Sequence, residues 1–193
     1  MSTPGPTDTG VDRAAVLAWG RADLRDLPWR ATRDPWRILV AEVMLQQTQV
    51  SRVVPRWFEW CAVYPTPQAL ASVPLGDAIV RWHGLGYPRR AKNLHGAATA
   101  IVAIHGGEVP QQLDALLALP GIGRYTARAV MTFAFEADVG VVDTNVARVL
   151  ARSAGTALTP SAAQDRADSL VPSGEGWLWN PVDDGRRRPP LPA

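Results

Sequence analysis

Through the middle of the chain, apolar residues recur three and four positions apart in blocks separated by short Pro and Gly punctuation, and strict apolar/polar alternation is scarce. The pattern predicts an all-α protein. The blocks place helices at 11–23, 35–49, 53–64, 66–72, 75–82, 89–105, 111–118, 124–136 and 145–153. After Trp177-Leu178-Trp179-Asn180 the character changes, and 181–193 becomes an Arg/Pro-rich ending expected to be disordered. Arg186, Arg187 and Arg188 can attract phosphate, but a short basic end of this kind reads first as a solvated tail.

With 193 residues and 47% hydrophobic content, the chain can build one domain with a sizeable core or two small lobes. A formal net charge of +2 permits a nucleic-acid partner without arguing for one, so charge placement has to carry that case. The first ten residues, 1–10, are polar and lack the basic start and apolar stretch of a secretion signal, and no apolar run is long enough to span a membrane. The expectation is a soluble, cytoplasmic protein with a flexible N-terminus. Cys61 is the only cysteine, and His83, His95 and His105 lie in separate segments, so no metal site is expected. Cys61, inside Trp57-Phe58-Glu59-Trp60-Cys61-Ala62-Val63, reads as a buried structural thiol, and the histidines read as surface or capping residues.

Four segments carry candidate chemistry. Leu119-Pro120-Gly121-Ile122-Gly123-Arg124-Tyr125-Thr126-Ala127 is a tight hairpin between helices, in which Gly121 and Gly123 supply freedom in φ and let a phosphate reach backbone N–H groups at a helix start. An ordinary helix-helix turn would use the same Pro and Gly. In Ile38-Leu39-Val40-Ala41-Glu42-Val43-Met44-Leu45-Gln46-Gln47-Thr48-Gln49, Glu42 is the one ionisable group of an apolar helix. Burial there raises its pKa toward that of a general acid, whereas a Glu at the helix edge would reach solvent or pair with Arg30 or Arg33. Periodicity leaves both open. Val139-Gly140-Val141-Val142-Asp143-Thr144-Asn145 delivers Asp143 to a helix start, where it can cap, act as a rigidly aimed carboxylate, or do both. Finally, Trp82-His83-Gly84-Leu85-Gly86-Tyr87-Pro88-Arg89-Arg90 joins a glycine-rich turn to a basic helix start, where an aromatic beside cations suits stacking or wedging into bases.

Read in order, with Leu27-Pro28-Trp29-Arg30, Asp34-Pro35, Asn93-Leu94-His95 and Val146-Ala147-Arg148-Val149-Leu150-Ala151-Arg152, these segments closely resemble the MutY-type adenine DNA glycosylases of the helix-hairpin-helix, endonuclease III-like superfamily. The match runs from about residue 27 to residue 152. The resemblance implies excision of adenine mispaired with 8-oxoguanine or guanine in double-stranded DNA, by a monomer. Glu42 would protonate the base, and Asp143 would stabilise the oxocarbenium-like sugar. Base extrusion would come first, with Gln47 and Tyr87 wedging into the stack and Leu45, Gln46 and Thr48 on the lesion side. It also places Arg30, Gly121, Gly123, Arg124, Thr126 and Asn145 against DNA. Endonuclease III enzymes have a Schiff-base lysine where this chain has Tyr125, so the resemblance implies a monofunctional glycosylase with Tyr125 near the sugar. Tyrosine there is also similar to the thymine-mismatch glycosylases, which keeps a thymine or uracil substrate open, as is a DNA-binding remnant without chemistry.

The family fold implied is a six-helix barrel lobe, here 24–135 with the hairpin at 119–127, facing a second helical lobe, here the helix 11–23 and a partial 136–180. The family's 4Fe-4S cluster needs four cysteines that this sequence lacks, so no cofactor is expected, and the Nudix-like domain that often follows in the family is not expected either. The ending reads as an early stop or frame shift, with a weakened fold and reduced activity expected. Thr144 departs from the glycine many relatives carry, a poor choice if positive φ is needed there.

Overall fold

The computed structural model describes residues 13–23 and 26–180, and all of their regular structure is helical. The expected flexible segments 1–10 and 181–193 lie outside the described residues. The helices are α1 (Arg13–Asp23), α2 (Pro35–Leu45), α3 (Val50–Val63), α4 (Pro67–Ala71), α5 (Leu75–Arg81), α6 (Arg89–His105), α7 (Leu113–Leu117), α8 (Arg124–Phe135), α9 (Thr144–Ala154), α10 (Pro160–Leu170) and α11 (Gly176–Trp179), with a 3-10 turn at Pro28–Arg30. No described helix is long and apolar enough to cross a membrane.

The chain forms two compact units. The first, residues 26–135, packs α2 against α3 and α8, and α4 and α5 against α6. Its α2 begins at Asp34, whose carboxylate accepts from the N–H groups of Trp36 and Arg37, with Pro35 at the first helical position. Almost every α2 side chain from Trp36 to Met44 is buried, so this helix is the core's axis rather than an amphipathic cover. Around it Trp29, Trp57, Trp60 and Trp82 are buried, with edge-on pairs Trp29–Trp57 and Trp60–Trp82 at centroid distances of 5.9 and 5.2 Å. Cys61 is buried here as expected, and burial pushes its thiol up to about 12.

The second unit joins α1 to residues 136–180 around a small core of Leu150, Ala167 and Leu170. Its α10 and α11 were not anticipated. The buried face of α10 is Ala163, Ala167 and Leu170, small residues that leave a faint periodic signal, although Thr159 caps the helix through Ala162 N–H. Residues 139–142 carry no regular secondary structure, and side chains take over the hydrogen bonds that a ladder would supply. Gly140 N–H donates to Asp168 (2.7 Å), Gln164 donates to Gly140 carbonyl (2.9 Å), and Val141 N–H donates to Asn180 (2.7 Å). Asn180 in turn donates to the Val139 and Gly176 carbonyls.

Candidate active site

In the first unit, Glu42 sits on the last two turns of α2 with 2% of its surface exposed. Burial raises its pKa to about 7, while the positive charge of Arg30 opposes the rise. Of the two readings periodicity left open, the buried acid is the one realised, and Arg30 acts on it as a nearby cation. The geometry gives a carboxyl that exchanges its proton near neutral pH, as general acid chemistry requires.

The helix ends earlier than expected, at Leu45 rather than Gln49. Gln46 N–H2 reaches the buried Thr126 hydroxyl of α8 at 3.4 Å, Leu45 packs partly into the core, and Gln47 is exposed at φ 57°. The Thr48 hydroxyl points into the protein, donating to the Leu85 carbonyl and accepting from Arg90. Leu45, Gln46, Thr48 and Thr126 thus all have protein neighbours, and Gln47 alone of residues 45–48 stands fully out. Tyr87 stands out in the same way, 60% exposed with φ 47°.

Arg90 is the residue whose role sequence reasoning missed. Read as part of a basic helix start whose cations flank an aromatic suited to stacking on bases, it is 7% exposed and faces inward, with its pKa lowered by burial against the opposing influence of Tyr87. Arg89 beside it is exposed. Nothing in the local pattern distinguishes the two arginines, because four of the six acceptors of Arg90 come from a segment 42 to 47 positions away.

The hairpin Leu119–Arg124 buries Leu119 and Ile122 and exposes Pro120, Gly121, Gly123 and Arg124. Gly121 has φ 75°, and its bare α-carbon lies against Asn93 of α6. Gly123 corrects the expectation that the turn needs the freedom in φ of both glycines: its φ is not positive, and a Cβ there would meet nothing within 4 Å. Neither conformation nor packing inside the protein asks for glycine at that position. Tyr125, half-buried, is the second residue of α8.

In the second unit, Asp143 is the N-cap of α9, its Oδ1 accepting from the N–H groups of Asn145 (2.8 Å) and Val146 (2.7 Å). Asn145 therefore contributes its backbone to fixing Asp143. Thr144 is the first helical residue and its φ is not positive, so the β-branched side chain carries no penalty there. Gln164, Asp168 and Asn180, which hold the backbone of Gly140 and Val141 ahead of Asp143, were invisible in the sequence because their work is to satisfy backbone.

The residues present do not fit an iron-sulfur cluster. The single thiol, Cys61, is packed in the aromatic core, and among the described residues no three His, Cys, Asp or Glu side chains form a group that could hold a metal.

Residues 40–172 match the family described as HhH-GPD superfamily base excision DNA repair protein. Adenine DNA glycosylase of Mycobacterium tuberculosis (strain CDC 1551 / Oshkosh) is 47% identical over 175 residues, covering 87% of this chain and 58% of that protein. The chain thus spans little more than half the length of that relative. The structure is similar to that of a thermostable thymine-DNA glycosylase, with a TM-score of 0.83 and 30% identity over 90% of this chain and 82% of the other. It is also similar to an endonuclease III captured in a trapped covalent intermediate with DNA, with a TM-score of 0.75 and 26% identity over 88% of this chain and 81% of the other.

Proposed function

This chain belongs to the HhH-GPD superfamily of base excision DNA repair proteins, and from that premise we propose that it hydrolyses the N-glycosidic bond of adenine mispaired with 8-oxoguanine or guanine in duplex DNA. The observation that carries the reading is Glu42, an enclosed carboxyl with a pKa of about 7 among the buried apolar side chains of α2 from Ile38 to Met44. Adenine leaves a sugar poorly unless a ring nitrogen accepts a proton, and a buried acid poised near neutrality supplies it. Departure of the base leaves positive character on the sugar, which a fixed carboxylate stabilises while water adds. Asp143 is assigned that second role. Tyr125 has no amine with which to form an imine, so the product is an abasic site, and Tyr125 serves the sugar as a hydrogen-bonding neighbour.

Duplex DNA is the partner in this reading. Gly123 supports it, since an exposed position with no internal need for glycine suits a backbone that must let a phosphate come close. Exposed Gln47 and Tyr87 have the shape and placement of wedges that fill an emptied base stack.

A second reading, a thymine or uracil mismatch glycosylase, is favoured by the likeness to the thymine-DNA glycosylase structure. Single-turnover excision on duplexes carrying adenine, thymine or uracil opposite guanine or 8-oxoguanine separates the two. Release of adenine, abolished in Glu42→Gln, is the expected result. Release of thymine with adenine retained assigns the second reading, and salt-dependent duplex binding without any cleavage reduces the chain to a DNA-binding protein.

A further inference from the structure

Arg90 is the second residue of α6, and its two terminal nitrogens are spent entirely on two turns. Nη1 donates to the carbonyls of Val43, Met44 and Gln46 at the end of α2, and Nη2 donates to the Thr48 hydroxyl and the carbonyls of Leu85 and Gly86. The guanidinium also lies 5.4 Å from the Trp82 ring centroid and 5.5 Å from that of Tyr87. Among the described residues it has no carboxylate partner, so the carbonyl dipoles, including the negative end of α2, are what hold this buried cation.

Both turns carry a side chain on left-handed backbone, Gln47 at φ 57° and Tyr87 at φ 47°. Residues other than glycine hold that conformation only where surrounding structure imposes it, and such positions gather at functional sites. Arg90 supplies the imposition for both, with Trp82 N–H to the Gly86 carbonyl and Arg52 to the Gly84 carbonyl bracing the second turn from outside. We propose that Arg90 is a positioning residue that couples these two turns, so that Gln47 and Tyr87 enter the base stack as one rigid pair. The role assigned to that pair rests on the glycosylase reading. A planar fork with donors on two edges is required to serve acceptors on both sides, which a lysine ammonium cannot do.

The test uses the whole chain, with Arg90→Lys and Thr48→Val, on a duplex carrying the fluorescent adenine analogue 2-aminopurine opposite 8-oxoguanine. Four quantities are read: amide exchange at 46–49, 84–88 and the hairpin 119–123; duplex affinity at one salt concentration; the fluorescence rise on base extrusion; and, on the matching duplex with adenine opposite 8-oxoguanine, single-turnover excision of adenine. Arg90→Lys is expected to speed exchange in both turns together by about tenfold, leaving the hairpin unchanged. Duplex affinity stays within about threefold, because phosphate contacts elsewhere set it. Extrusion and excision fall by about a hundredfold, the cost of small misplacement.

A folded Arg90→Lys protein that keeps both turns protected, or extrudes the base like wild type, overturns the proposal. If Arg90→Lys does not fold, Thr48→Val removes one of the six acceptors while α2 stays capped. The same paired rise in exchange with about tenfold slower extrusion supports coupling, and wild-type behaviour overturns it. If wild type neither extrudes nor excises, the glycosylase reading is what fails, and the exchange data by themselves decide whether Arg90 couples the turns.

Discussion

Gly121 and Asn93 touch so closely that a Cβ built on Gly121 would stand 2.5 Å from both the Cβ and the amide nitrogen of Asn93. The contact seats the hairpin on α6, and it coincides with left-handed backbone at Gly121. Gly121→Ala is therefore expected to cost about 2–3 kcal/mol, from strain plus overpacking, visible as a lower unfolding midpoint. Gly123→Ala should leave stability within about 0.5 kcal/mol yet weaken duplex binding by about tenfold. Loss of stability at Gly123, or unchanged DNA affinity, would remove the case for phosphate contact there.

Glu42 makes stability depend on pH. Its folded pKa of about 7 lies above the unfolded value near 4.3, so between them the native state retains a proton that the unfolded chain releases. The contribution is fully present below about pH 4 and is lost as pH rises through about 7, a change of about 3–4 kcal/mol at ~1.4 kcal/mol per unit. Glu42→Gln keeps the shape of the protonated side chain without the ionisation. Its midpoint should match wild type at pH 4 and exceed it at pH 8; equal offsets at both pH values would contradict the burial.

The same group governs rate. Under single-turnover conditions, excision should fall about tenfold per pH unit above about 7 as the acid loses its proton. Arg30 holds that limit down, because its charge favours the ionised form. Arg30→Met should move the alkaline limb to higher pH whatever it does to affinity, and a limb that stays put or moves down refutes the link.

Gly140 lies against the α10 backbone: a Cβ there would stand 2.6 Å from Ala167 Cβ and 2.8 Å from the Ala167 carbonyl carbon. Gly140→Ala is expected to destabilise by about 2–3 kcal/mol, since the neighbour is main chain and has little room to yield. Hydrogen exchange should rise through 136–180 and remain unchanged through 26–135. A uniform rise would mean the two units do not report separately.

What the sequence revealed depended on how local each cause was. The helix Arg89–His105 was legible to the residue, because Pro88 precedes it and Gly106 ends it at φ 64°. The end of α2 was misread because Gln46 to Gln49 are acceptable helix formers, and the chain turns there around Arg90, which arrives from 44 residues downstream. Glu42, Asp143, Gln47, Tyr87 and the hairpin stood out by type, spacing and resemblance. Gln164, Asp168 and Asn180 did not, since a side chain that satisfies a distant peptide group leaves no periodic mark.

Two sets of contacts are spaced along α6. Arg90 near its start grips the two turns, and one to two turns later Asn93 and Gly96 meet Gly121 and Pro120 of the hairpin. Each added residue in a helix advances the axis by about 1.5 Å and rotates it by about 100°. A single insertion between Arg90 and Asn93 would swing one set of contacts out of alignment with the other. That short interval should admit substitutions but no change of length.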